Sequence, residues 1–266
     1  MYAEERRRQI ASRTAMEGRV NVTELAQHFK VTAETIRRDL SVLDREGIVH
    51  RVHGGAVASQ IFQTTELTLD TRLRSAPGAK SAIARAATRY LPQPGGSAFL
   101  DAGSTVDALA ELIAQVRGPR DLSIVSNSLP ICLALANNKM DNIQLLGGSV
   151  RAITQAVVGD TALRTLALMR ADVAFIGTNA LTIDHGLSTA DAQEAAIKST
   201  FITNAHKVVV LCDSSKLGND YLVSFGTIRE LDVVITDSGA SEHYLDQLRA
   251  HDVEVVVADE DVAAEG

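Results

Sequence analysis

Residues 31–56 read VTAETIRRDLSVLDREGIVHRVHGGA, and the spacing predicts a recognition helix followed by a β-hairpin wing. Thr32 has the side chain of an N-cap, and Glu34 sits in the first turn, where a carboxylate complements the helix dipole. Ile36, Leu40 and Leu43 recur at helical spacing and form the expected buried stripe. Arg37 and Arg38 fall one turn inside the N-terminus, where a recognition helix meets base edges and phosphates. Thr32, Glu34, Thr35, Arg37 and Arg38 are therefore the candidate DNA-contacting residues of the helix. Gly47 stops the helix as a C-cap does. Ile48 to Val52 is strand-like, and His53-Gly54-Gly55 is a tight tip that lays Arg51, His53 and Gly54 along a DNA backbone.

The preceding segment completes the unit. Glu4 to Ser12 opens with Arg6, Arg7 and Arg8 and carries Ile10 as an inward anchor. Val20 to Val22 is expected to be extended. Thr23 then caps a second helix with Leu25, Ala26 and Phe29 facing in, and Lys30-Val31 forms the turn. Helix, helix, turn, helix and wing make a winged helix-turn-helix.

Composition supports this division. The 266-residue chain carries a net charge of −7, unusual for a DNA binder until it is split. Residues 1–56 hold ten basic against eight acidic residues, +2, while the remainder holds sixteen against twenty-five, −9. The acidic body repels DNA and leaves contact to the basic head. No run of eighteen apolar residues predicts a membrane span. The charged N-terminus lacks the apolar stretch of a signal peptide. Cys132 and Cys212 lie in apolar surroundings and read as buried and unbridged, which fits a cytoplasmic protein. No Cys/His cluster has metal-ligand spacing, and no cofactor is expected.

Residues 58–78 show no clear periodicity and read as a linker ending at Pro77-Gly78. From 79 to 258, apolar β-branched runs alternate with helical stripes. The strands are expected at Ala98–Leu100, Leu122–Val125, Ile143–Leu146, Val173–Ile176, Val208–Leu211, Val233–Ile235 and Val253–Val257. This pattern predicts a mostly parallel sheet covered on both faces. Residues 259–266 read as an acidic tail.

Ligands of such sheets bind beyond the carboxyl ends of strands. Five of those ends carry small polar residues. Asp101-Ala102-Gly103-Ser104-Thr105 opens a helix, where backbone N–H groups and hydroxyls suit a phosphate. Ser126-Asn127-Ser128 opens another. Gly147-Gly148 leads to Arg151, Gly177 leads to Thr178-Asn179, and Asp213 precedes Lys216. On one rim these loops make a polar pocket with an anion-binding corner, with Arg151 or Lys216 as countercharge and Asp101 and Asn127 among its other polar groups. Glu194 and Lys198, four apart on a helix, read as a local salt bridge. His185 and His206 read as surface residues.

ETIRRDL (34–40), VTELA (22–26) and RVHGGA (51–56), together with LDAGST (100–105), SNS (126–128), LLGGSVR (145–151), GLSTAD (186–191), EAAIK (194–198) and LCDSSKLG (211–218), resemble the DeoR family of bacterial sugar-metabolism repressors. The likeness covers roughly residues 4–257. It implies a sensor domain, similar in fold to ribose-phosphate isomerases and CoA transferases, that binds phosphorylated sugars and assembles protomers into a dimer or tetramer. The stretch 158–181 resembles the branch repressing fructose operons, which implies fructose 1-phosphate or fructose 1,6-bisphosphate as effector. The resulting expectation is a repressor released from double-stranded operator DNA by its effector. The rivals are a sugar-phosphate isomerase-like enzyme with a DNA-binding head, and an activator using the same parts.

Overall fold

A computed structural model describes residues 3–17, 19–45, 48–52, 54–58, 66–115 and 121–259. Gly47, His53 and the tail beyond 259 lie outside the described residues. The chain divides into two compact units, Met1–Phe62 and Gln63–Gly266.

The first unit is the expected winged helix. It comprises α1 (Ala3–Glu17), β1 (Arg19–Asn21), α2 (Val22–Phe29), α3 (Ala33–Arg45), β2 (Val49–Val52) and β3 (Gly55–Ala58). The strands form an antiparallel sheet in the order β1-β3-β2. Ile10, Leu25, Phe29, Ile36, Leu40 and Leu43 build its core with Val49 and Ala56. The start of α2 differs from expectation. Asn21, not Thr23, is the cap, and its side chain accepts the Thr23 N–H at 2.8 Å. Thr32 behaves as expected, its hydroxyl accepting the Thr35 N–H at 3.2 Å. Gly55 is obligatory for the sheet, because a Cβ there would lie 1.9 Å from the Val20 carbonyl oxygen.

The second unit opens with α4 (Leu69–Arg74) and α5 (Pro77–Ala87). It continues through β4 (Ser97–Leu100), α6 (Ser104–Gln115), β5 (Ser123–Ser126), α7 (Leu129–Asn137), β6 (Ile143–Leu145), β7 (Ser149–Val150), β8 (Val157–Val158) and α8 (Asp160–Leu166). Next come β9 (Ala171–Gly177), β10 (Ala180–Thr182), β11 (Gly186–Thr189), α9 (Ala192–Thr203), β12 (Ala205–Leu211), β13 (Val223–Gly226), β14 (Val233–Asp237), α10 (Glu242–Arg249) and β15 (Glu254–Ala258). The seven expected strands form one parallel sheet in the order β15-β14-β12-β9-β4-β5-β6. Side-chain alternation divides its core. Ala98, Leu100, Val173, Phe175, Val209 and Leu211 face α5, α6 and α7. Phe99, Ala174, Ile176, Val208 and Val210 pack with α8, α9 and the small sheet β10-β11-β13. The short antiparallel pieces lack a legible period.

The expected linker needs correction. Glu66 to Arg74 belongs to the second unit, where Thr68 caps α4 and Leu69 is buried. Pro77 is the first residue of α5, where its missing N–H costs nothing. A six-residue helix with one apolar anchor has too little pattern to be read as structure.

A feature invisible in the apolar stripes holds the winged helix. Arg6 Nε donates to Asp39 Oδ2 at 2.6 Å, with the side chains 9% and 5% exposed. This pair links α1 to α3. Removing one partner of a buried pair strands the other charge, at a cost of roughly 3–5 kcal/mol. Asp39→Ala is therefore expected to lower the unfolding free energy of the first unit by that order in a denaturant titration of the full chain. The pair Arg6→Met with Asp39→Leu is expected to recover most of the loss.

Candidate functional site

The DNA-facing candidates lie together on α3 and the wing. Arg37 and Arg38 are exposed and off the apolar stripe, and Glu34 reaches both, at 3.5 Å and 3.9 Å. Exposed pairs of this kind are worth about 0–1 kcal/mol, so they tie the two arginines down only weakly. Arg51 of β2 is anchored to the helix. Its N–H donates to Asp44 Oδ1 at 3.0 Å, and its Nη1 donates to Ser41 Oγ at 2.9 Å. Ser41 in turn donates to the Arg37 carbonyl at 2.7 Å. Ser41 escapes sequence reasoning, although its place four residues after Arg37 is the available signal. Thr32 and Thr35 form the helix cap, and Gly54 turns the hairpin with φ of 81°.

In the second unit the order of strands locates the cleft. From β4 the chain builds outward through β5 and β6, then returns to add β9, β12, β14 and β15 on the other side. The direction of winding reverses between β4 and β9. At such a switch point the loops leaving adjacent strand ends part and open a crevice. The cleft there encloses about 560 Å³, its open mouth included. The ends of β4, β9 and β12 supply Gly103, Ser104, Thr105, Thr178, Asn179, Asp213 and Lys216 to its wall, as the sequence suggested. Ser104 and Thr105 begin α6, whose first N–H groups lack intrahelical acceptors; the Asp107 N–H is the one that takes Gly103 O, at 2.8 Å.

Two of the expected loops do not reach this cleft. The loop after β5 is covered by the connection between β7 and β8, through Leu129 N–H to Gln155 O at 3.2 Å and Val157 N–H to Asn127 O at 2.7 Å. Ser126, Asn127 and Ser128 act from behind. Asn127 Oδ1 accepts the Ala102 N–H at 2.9 Å, Ser126 Oγ donates to Leu100 O at 2.6 Å, and Ser128 caps α7. Gly148 permits close packing, since a Cβ would lie 2.5 Å from Val158 O. Arg151 is also elsewhere. Its guanidinium meets Glu66 at 2.7 Å, Asp191 at 3.3 Å and Glu194 at 2.5 Å, so three carboxylates already neutralise it.

Glu194 and Lys198 do not pair with each other, contrary to the sequence expectation. Glu194 binds Arg151 and Thr154. Lys198 binds Asp101 and donates to Gly177 O at 3.0 Å. Asp101 therefore lies beneath the cleft and is held there. Burial pushes its carboxyl above the ordinary range, and Lys198 opposes that shift. His185 is partly buried with Asp220 3.8 Å away, while His206 is exposed.

Several lining residues were missed. Leu67, Arg72 and Ser75 come from the stretch read as linker, Lys80 from α5, Lys198 from α9, and Tyr221 from the loop before β13. Lys80 is buried among the apolar residues of α5, and a lone lysine on an apolar stripe was the signal. Its Nζ donates to the carbonyls of Arg72 and Ser75 and to Ser75 Oγ at 3.1 Å. Burial lowers its pKa from 10.5 to about 8; Asp213 opposes this, and Lys216 and Arg72 add to it. Arg72 Nε is buried without a hydrogen-bond partner. Arg72, Lys80, Lys198 and Lys216 thus face one cleft, against Asp213 as the carboxylate among the described lining residues. Among the described residues no group of His, Cys, Asp and Glu could hold a metal ion, and no helix is long and apolar enough to cross a membrane.

Residues 6–62 match the DeoR-like helix-turn-helix domain, and residues 75–238 match the DeoR C terminal sensor domain. The chain is similar to the HTH-type transcriptional regulator GlpR of Haloferax volcanii, 34% identical over 96% of this chain and 98% of that protein. It is also similar to the lactose phosphotransferase system repressor of Streptococcus mutans, 32% identical over 89% and 93%. Among solved structures, ribose 5-phosphate isomerase from Plasmodium falciparum aligns over 53% of this chain and 52% of that one, with 16% identity and a TM-score of 0.39. That likeness is too distant to bear on activity. The winged helix, the sensor sheet and relatives spanning almost the whole chain establish that this protein belongs to the DeoR family, as a transcriptional repressor of sugar metabolism and not an enzyme.

Proposed function

We propose that the cleft at the β4–β9 switch point binds a phosphorylated sugar, and that this binding releases the winged helices from operator DNA. The observation that carries the reading is that Lys80 and Lys216, with the positive charge of Arg72 beside them, share one cleft wall with Ser104 and Thr105 at the N-terminus of α6. A helix N-terminus ringed by cations favours a phosphate. Thr178, Asn179 and Asp213 are the polar groups for sugar hydroxyls, and Arg151 takes no part. A fructose phosphate is favoured by the resemblance over residues 158–181, of which Gly177, Thr178 and Asn179 touch the cleft. The protein acts in the cytoplasm, a reading that suits its two buried free cysteines. Winged helices read symmetric half-sites in pairs, so the working form is a homo-oligomer, a dimer or tetramer.

Thermal-shift measurements with fructose 1-phosphate, fructose 1,6-bisphosphate, glycerol 3-phosphate and fructose test the reading. A ligand at a hundredfold excess over its Kd raises apparent stability by about 2.7 kcal/mol. At least one phosphorylated sugar is expected to do so and free fructose is not. Indifference to every phosphosugar sinks the assignment. A shift with glycerol 3-phosphate alone removes the fructose preference.

Lys216→Ala is expected to leave operator affinity intact and to weaken the phosphosugar response tenfold or more, since a charge-assisted contact is worth roughly 1.5–3 kcal/mol. In cells this is a repressor deaf to its inducer. Wild-type release by the variant in a gel-shift titration would remove Lys216 from the site. On the DNA side, Arg37→Ala or Arg38→Ala is expected to cost roughly 1–3 kcal/mol of operator affinity where that arginine reads a base, with the unfolding midpoint unchanged. Undiminished operator binding by the double variant contradicts the role of α3.

The pH dependence has a definite sign. Lys80 loses its proton in the folded, unliganded chain at about pH 8, and phosphate needs the ammonium. Phosphosugar affinity is expected to fall as pH rises through 8. It also falls below roughly pH 6, where a phosphate monoester takes up its second proton. For unliganded stability the sign is opposite. Between about pH 8 and 10.5 the unfolded chain retains a proton that the folded chain has released, so Lys80 makes stability rise with pH across that window. Isothermal titration from pH 5.5 to 9.5 checks the affinity profile. A flat profile above pH 7 contradicts contact with Lys80.

A further inference from the structure

The stretch from Glu66 to Ser75 forms a strap along the cleft, contributing Leu67, Arg72 and Ser75 to its wall. Polar contacts hold it at two places. At its start, Glu66, with its carboxyl 7% exposed, receives both prongs of Arg151, Nη2 to Oε2 at 2.7 Å and Nη1 to Oε1 at 3.2 Å. The Leu69 N–H donates to Ile153 O at 2.9 Å beside it. At its end, the Lys80 ammonium donates to the carbonyls of Arg72 and Ser75 and to the Ser75 hydroxyl. Leu69 is the buried residue of its short helix.

An ammonium has three N–H donors and no more. In this structure the strap takes all three. A phosphate that reaches Lys80 must therefore displace a strap acceptor. A segment with one buried apolar side chain and few backbone bonds belongs to the easily opened part of a fold.

We propose that the strap reports effector occupancy: phosphate and strap compete for the Lys80 ammonium, and the Arg151–Glu66 pair sets how strongly the clamped position is favoured. The inference rests on reading the cleft as a phosphosugar site. Linkage then fixes a sign. A ligand that favours the released strap binds more tightly when the clamp is weakened by other means. Glu66 lies outside the cleft wall, so a merely structural loss at Glu66 would do the reverse.

The test uses the full-length protein and inorganic phosphate. Hydrogen exchange is followed in peptides covering 103–107 and 69–75, and phosphate affinity is titrated for the wild type and Glu66→Gln. Bound phosphate is expected to slow exchange at 103–107 and to speed it at 69–75 by about fivefold or more. Glu66→Gln is expected to exchange rapidly at 69–75 without phosphate and to bind phosphate up to about tenfold more tightly. Protection at 103–107 with unchanged or slower exchange at 69–75 overturns the strap proposal and leaves the cleft reading standing. Weaker phosphate binding by Glu66→Gln also overturns it. Absence of protection at 103–107 at saturating phosphate sinks the cleft reading, and the strap with it. If Glu66→Gln does not fold, the wild-type exchange result decides.

Discussion

The sensor depends on a buried ion pair at the point where its sheet changes direction. Asp101, at the end of β4, accepts the Gly177 N–H at 3.0 Å and the Lys198 ammonium, while Lys198 donates to the Gly177 carbonyl at 3.0 Å. Two strand ends and a helix from the opposite layer are joined through one ammonium. The two loops that part to make the cleft are thereby held at a set separation beneath it. Desolvating both charges is costly, and removing either leaves the other uncompensated. Asp101 Oδ1 is buried without a hydrogen-bond partner, which raises that cost further. Such a pair adds little net stability compared with an apolar substitute. What it confers is one specific arrangement of β4, β9 and α9.

Charge is sorted around this point. Residues 57–266 carry an excess of nine acidic groups, yet the cleft is lined by cations. The carboxylates nearest in sequence to its wall are engaged elsewhere: Glu66, Asp191 and Glu194 surround Arg151, and Asp101 holds Lys198. Lys80, Lys216 and Arg72 are left close enough to oppose one another, which contributes to the low pKa of Lys80. An anion relieves that repulsion on entry. The acidic exterior meanwhile disfavours contact with DNA anywhere except the basic head.

The winged helix was legible almost to the residue, because cap, stripe and glycine turn are local signals that agree. The seven strands of the sensor were legible from apolar runs, and their polar ends pointed to three of the loops that line the cleft. The failures share a cause. Asn127 and Arg151 carry suitable chemistry, but β7 and β8 and the carboxylates of other segments claim them, and no local pattern records that. Glu194 and Lys198 have the spacing of a surface pair, whereas each is drawn to a partner distant in sequence. Leu67 to Ser75 had no period to read. Lys80 alone left a trace, as a charge on the apolar face of α5.

The titratable groups at the switch point are engaged by other parts of the chain. A general acid or base needs a titratable group whose proton is available to a bound substrate. Asp101 is committed to Lys198 and Gly177, and Lys80 donates all its protons to main-chain and hydroxyl oxygens of the strap. A charge held by neutral carbonyls is held loosely compared with one held by a carboxylate, because a phosphate outcompetes a carbonyl for an ammonium. Arg151, by contrast, is held by carboxylates that a phosphate does not displace. The segment from Glu66 to Ser75 is therefore held by two unlike anchors, neutral oxygens on the Lys80 ammonium at one end and a carboxylate on the Arg151 guanidinium at the other.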